Sequence, residues 1–140
     1  IQVFISSLLI ETKNKNSGGF LFNIKKVYNA LVYTHIINKY FKNKNIKASQ
    51  TVVYSYWFYH WALISSYLKL TNPAIKAISR AHLNDLYGEF SNDQFSLIKL
   101  KYLDSVFPIS KHVTNYLKEK FPFYESKIRT HYLGVKDFGI

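Results

Sequence analysis

A chain of 140 residues is long enough for one domain with a real core, and 48% hydrophobic with 18% aromatic residues excludes a disordered tail. The chain has no cysteine, which rules out disulfides, thiolate zinc sites and cysteine nucleophiles. The formal charge of +11 favours phosphate-bearing partners such as nucleotide, nucleic acid or anionic lipid, although joint richness in Lys, Asn, Ile and Tyr explains the same charge by composition alone.

The chain opens on Ile1 and contains no methionine, so we expect a piece of a longer protein. No leader or signal peptide is recognisable, and a cytoplasmic setting is expected. Residues 1–10 form an apolar run whose period does not separate helix from strand. Residues 13–19 (KNKNSGG) read as a loop, and Gly18-Gly19 before a helix is a weak candidate for a phosphate-cradling turn. Residues 20–41 read as a long helix, with Ile24, Val27, Tyr28, Leu31, Thr34, His35, Asn38 and Phe41 at 3–4 spacing. Residues 42–47 form a polar break.

Residues 51–56 (TVVYSY) are β-branched and aromatic, as in a strand. Residues 57–70 then read as a helix apolar on nearly every side, hence buried, and Thr71-Asn72-Pro73 ends it. Residues 52–68 carry no formal charge, but they include His60 and several hydroxyls, reach only ~17 residues, and divide into strand and helix rather than a membrane span. Residues 74–79 read as a strand, with residues 80–87 at or just beyond its carboxyl end. A loop at 90–93, capped by Asn92 or Asp93, leads into a helix at 94–103. Residues 105–109 read as a strand, Ser110 as the N-cap of a helix at 111–120, Phe121-Pro122 as its stop, and 127–133 as a last strand closed by Gly134. Alternating strands and helices predict an α/β fold, Rossmann-like, with a mostly parallel sheet and flanking helices. Ligands bind beyond the carboxyl ends of such strands.

The stretch 79–87 (SRAHLNDLY) crowds Arg80, His82, Asp85 and Tyr87 at such an end. The chain has 19 basic residues, and only Arg80 and Arg129 are arginines. Arginine forms paired hydrogen bonds to phosphate or carboxylate, histidine exchanges a proton near neutrality, and aspartate orients a neighbour or accepts from hydroxyls. Read by spacing alone, the stretch fits better an ordinary polar loop in which Arg80 and Asp85 pair on the surface.

The string ISRAHLNDLYGEF resembles the SRAHgyDlYeE signature of one branch of the retaining GT-B glycosyltransferases, family 4, which build bacterial surface polysaccharides. Three further segments are similar to that family in the same order. They are Tyr54-Ser55-Tyr56-Trp57-Phe58; Asp104 through Ser110 (DSVFPIS); and Tyr116-Leu117, Phe121-Pro122, Lys127-Ile128 and Leu133-Gly134-Val135. Together they cover roughly residues 50–137. The resemblance implies a Rossmann-like N-terminal, acceptor-side domain over 1–140, without the C-terminal domain that holds most of the donor. The partners it implies are a nucleotide-sugar donor, a saccharide or lipid-linked acceptor, and an anionic membrane surface. Carried over by position, His82 faces the donor sugar as the candidate catalytic residue, and Arg80, Asp85 and Tyr87 shape the same wall. Trp57, with Tyr56, is a candidate to stack on a sugar ring, although their apolar surroundings weigh toward buried packing. Ser110 caps a helix whose positive end points to the cleft. Leu83-Asn84 stands where the pattern has Gly-Tyr. The nucleotide-sugar is a substrate, so no cofactor is expected. The histidines have no zinc spacing, so no metal is expected either.

The alternative is a basic α/β nucleic-acid-binding module without catalysis. The aromatics lie largely in apolar segments, and no RNA-binding aromatic signature is present, so nucleic acid is not the expected partner.

Overall fold

The computed structural model describes residues 20–87 and 95–134. Helix α1 (Phe20–Asn43) buries Asn23, Val27, Ala30 and Thr34 on one side. It ends at Asn45, whose φ of 52° turns the chain left-handed while Ile46 N–H donates to the Phe41 carbonyl at 2.9 Å. Asparagine tolerates that conformation better than most residues, and this is a common way to stop a helix.

A short 3-10 turn (Ala48–Gln50) leads into strand β1 (Val52–Ser55), followed by helix α2 (His60–Thr71). Residues 62–68 of α2 are all buried, as expected of an element apolar all round. The side chains of Asn38, Thr71 and Asn72 interlock the ends of α1 and α2. Strand β2 (Lys76–Ala81) pairs in parallel with β1, and strand β3 (Ser105–Pro108) pairs in parallel with β2, giving a three-stranded sheet of order β1-β2-β3. Between β2 and β3 lie helices α3 (Asn84–Tyr87) and α4 (Ser96–Tyr102). Helix α5 (Lys111–Lys120) and a 3-10 segment (Pro122–Lys127) follow β3. The chain is therefore α/β with a parallel sheet. No helix among the described residues is long and apolar enough to cross a membrane.

Strand alternation explains the layering. Ser55, Ala77, Ser79, Ala81, Val106 and Pro108 share one face and are buried. Of these, Ala77, Ala81 and Val106 pack with Phe58 and Ala62, Leu100 and Leu103, and Val113 and Leu117. Burying one such leucine contributes about 2 kcal/mol. The opposite face carries Val52, Tyr54, Ile78, Arg80 and Phe107, and there Val52 and Tyr54 are 58% and 49% exposed.

Several boundaries differ from the sequence reading. Strand β2 runs two residues later than 74–79, because Asn72-Pro73 enters a turn closed by Ile75 N–H on the Asn72 carbonyl. Arg80 therefore lies inside the strand. Helix α2 begins at His60 rather than Trp57, because the intervening backbone bonds elsewhere. The strand expected at 127–133 is absent. Residues 122–127 coil into the 3-10 turn, and only Ile128 forms a bridge, to Val106. Arg129 and His131 still donate backbone N–H groups to the Val106 and Pro108 carbonyls, so the segment follows β3 as far as that strand lasts. The residue before α4 is Phe95, left-handed at φ 61°, and the expected caps Asn92 and Asp93 lie outside the described residues. The readings of 1–10, of 13–19 with Gly18-Gly19, and of the loop at 90–93 also lie outside them. Ser110 caps α5 as expected, accepting from Val113 N–H at 3.3 Å.

Candidate functional site

Strand β2 delivers its carboxyl end at Ala81, and the chain turns at once into the single turn of α3. That turn is held by Asp85. Its Oδ2 accepts from His82 N–H at 2.8 Å and from Phe58 N–H at 2.9 Å. One buried carboxylate oxygen thus joins the turn after β2 to the loop after β1. Charge-assisted bonds of this kind are the stronger ones in proteins. The same loop is anchored twice more. Ser55 Oγ donates to the Trp57 carbonyl at 2.6 Å, and Lys99 Nζ, from α4, donates to the Phe58 carbonyl at 2.8 Å. Lys99 is 2% exposed, and its ammonium also lies 4.2 Å from the Phe58 ring centroid.

These ties set two aromatic rings over His82. The Trp57 ring centroid lies 4.2 Å from the imidazole, and that of Tyr56 lies 5.1 Å away, both tilted by 41°. Trp57 and Tyr56 are 45% and 47% exposed, whereas His82 is 7% exposed. Buried packing, the heavier reading from sequence, does not describe these two rings: they form a half-open aromatic lip above a buried imidazole. Among the described residues, neither ring nitrogen of His82 has a hydrogen-bond partner. Nδ1 is 3.4 Å from Asp85 Oδ2, but without hydrogen-bond geometry. An unpaired buried polar group costs about 1–3 kcal/mol, so such groups are uncommon without a purpose. A hydroxyl-rich ligand reaching the ring can pair with it as donor or acceptor, depending on the tautomer.

Among the described residues, the polar contact of Arg80 is with His131 and not with Asp85. In register with Phe107, Arg80 lies on the sheet face opposite Ala81, where Nη2 comes within 3.4 Å of His131 Nδ1 and Nη1 has no hydrogen-bond partner among the described residues. Alternation along β2 separates it from the Ala81 side. Arg80 and Asp85 form no ion pair. Ser110 stands at the carboxyl end of β3, beside that of β2, since Ile109 N–H donates to the Ala81 carbonyl, and its hydroxyl is engaged in the cap. Tyr87 ends α3, and its side chain lies outside what is described.

Sequence reasoning did not single out Lys99 or the Phe58 amide. A lysine between Ile98 and Leu100, both buried, was the available signal for the first. The second had none, because a backbone amide has no sequence signature. Close to this loop, His60 has its pKa lowered by burial first and then by the charges of Lys26 and Lys99. Comparison with protein-family models, curated proteins and solved structures gives no match for this chain.

Proposed function

We propose that this chain is the acceptor-side, Rossmann-like part of a retaining GT-B glycosyltransferase. In this reading a sugar from a nucleotide-sugar donor passes to a saccharide or lipid-linked acceptor during bacterial surface polysaccharide synthesis, at the cytoplasmic face of the membrane. The observation that carries the reading is His82. A buried imidazole with two unpaired nitrogens sits at the carboxyl end of a parallel strand, beneath the half-exposed rings of Tyr56 and Trp57. Pyranose rings present apolar faces to indoles and hydroxyl edges to imidazoles, which suits this pairing of groups.

The reading gives each group a role. Trp57 lies against one face of the sugar. His82 hydrogen-bonds to the donor sugar or to the reacting groups. Asp85 is a positioning residue, because its carboxylate is spent on two backbone amides and keeps His82 and Trp57 in register. Rate comes from holding donor and acceptor together and from stabilising the departing diphosphate. The diphosphate contacts are assigned to a second domain. In this reading Arg80, two positions before His82, helps to shape the same site.

The test is His82→Ala in an enzyme carrying both domains. Turnover with its nucleotide-sugar falls by at least about tenfold, the loss of one ligand hydrogen bond, while the far-ultraviolet circular dichroism is retained. Unchanged turnover in the folded variant removes His82 from the reaction.

A further inference from the structure

Helix α1 has two unlike arcs. Asn23, Val27, Ala30 and Thr34 point inward. On the other arc Leu21, Phe22, Tyr28, Val32, Ile36 and Tyr40 are between 38% and 80% exposed. Their helical spacing aligns them in one band about 30 Å long. The band continues onto α2, where Trp61 is 53% exposed and its ring lies 5.7 Å from that of Tyr33. Scattered apolar residues on a surface need no explanation, whereas a contiguous stripe of this length does.

Charge identifies what covers the stripe. Lys25 and Lys39 are exposed on the same arc, and Lys26 leans over the Phe22 ring at 4.4 Å. The 24 residues of α1 contain no acidic side chain. A second copy laid on this arc would bring lysine against lysine with no carboxylate between them, in a chain already at +11. Tyrosine, tryptophan and lysine are the side chains that favour the boundary between acyl chains and headgroups, with the ring or stem immersed and the polar tip outside. We infer that the outer arc of α1, with Trp61, lies in the plane of an anionic lipid bilayer, apolar rings among the outer acyl carbons and ammonium groups at the lipid phosphates. The helix lies on the membrane and does not cross it, in keeping with its hydropathy. This inference does not rest on the glycosyl-transfer reading.

Co-sedimentation of the full chain with vesicles decides it. Wild type binds vesicles of equal parts phosphatidylglycerol and phosphatidylcholine, and binds phosphatidylcholine alone far less. Lys25→Gln with Lys39→Gln lowers the affinity for the anionic vesicles by about tenfold or more, each lysine near such a surface counting separately. Tyr28→Ser, Ile36→Ser and Tyr40→Ser together abolish binding even at low salt. Lys101→Gln with Lys111→Gln removes equal charge from α4 and α5 and changes binding by no more than about twofold. No binding by wild type overturns the inference, as does an equal loss in the two lysine pairs, which would mean bulk charge alone. A lipid-free dimer that the serine variant returns to monomer also overturns it, since the stripe would then be covered by a second copy. Should the serine variant lose its fold, the Lys25 and Lys39 pair decides the matter alone, because it removes no apolar contact.

Discussion

Strand β2 is tied at each end by a carboxylate, and the two ties are built for different ends. At the amino end, Asp104 Oδ2 accepts from Ala77 N–H at 2.7 Å while Oδ1 pairs with Lys69 Nζ at 3.0 Å. Lys69 also donates to the Ile75 carbonyl. Each charge there has an opposite, and the arrangement is partly open to water. At the carboxyl end, Asp85 is 6% exposed and holds two amides with one oxygen. Its ion-pair neighbour among the described residues is not a lysine or arginine but an imidazole whose nitrogens are unpaired. The amino end is a closed account of polar groups. The carboxyl end keeps hydrogen-bonding capacity in hand beneath an aromatic lip, at the sheet edge where parallel α/β folds bind ligands.

The comparison can be broken by substitution. Asp85→Ala has the largest effect expected. It leaves two buried amides without an acceptor, and the urea midpoint should fall by the equivalent of about 3–4 kcal/mol. Asp85→Asn should cost roughly half as much, since one amide oxygen can still accept both bonds. Lys99→Met comes next, at about 2 kcal/mol in the same titration, because the Phe58 carbonyl loses its buried donor while the stem is replaced. Asp104→Ala should cost about 1 kcal/mol, its ion pair being screened by solvent. If Asp104→Ala costs more than Asp85→Ala, the contrast between the two ends collapses.

The smallest effect sharpens the electrostatics of the site end. Burial and two nearby lysines hold the His60 pKa below its ordinary 6.5 in the folded chain. The unfolded chain therefore takes up the proton first as pH falls. The stabilisation from neutral His60 is complete above 6.5 and is lost as pH falls through the folded-state pKa. His60→Gln should flatten the acid limb of stability against pH. An unchanged limb would place the titration elsewhere.

Much of the architecture was legible in local signals. The 3–4 spacing marked α1, β-branched residues marked β1, and Asn72-Pro73 marked the end of α2. Ser110 announced the cap of α5, which begins one residue later. The crowding of Arg80, His82 and Asp85 drew attention to the carboxyl end of β2. Errors arose where a partner at a distance decided the outcome. The start of α2 waits on bonds from Asp85 and Lys99, 27 and 41 residues from Phe58. The last expected strand depends on β3, which stops at Pro108 and offers no further carbonyls in register. Lys127, read as the first residue of that strand, instead donates to the carbonyls of Leu100, Lys101 and Leu103 at the end of α4. Burial lowers its pKa there, against the opposing effect of Asp104.

By itself, then, the amino-acid sequence determined most of the helices and strands, that they alternate, and which turn concentrates polar chemistry, because periodicity, caps and breakers act within a few residues. Tertiary structure decided that Arg80 approaches His131, that Lys99 is buried under the Trp57 loop, and that Trp57 and Tyr56 stand half open above the imidazole. Those outcomes hang on hydrogen bonds between segments far apart in the chain. A one-residue change of register turns every side chain of a strand to the other face, so no local pattern can foresee them.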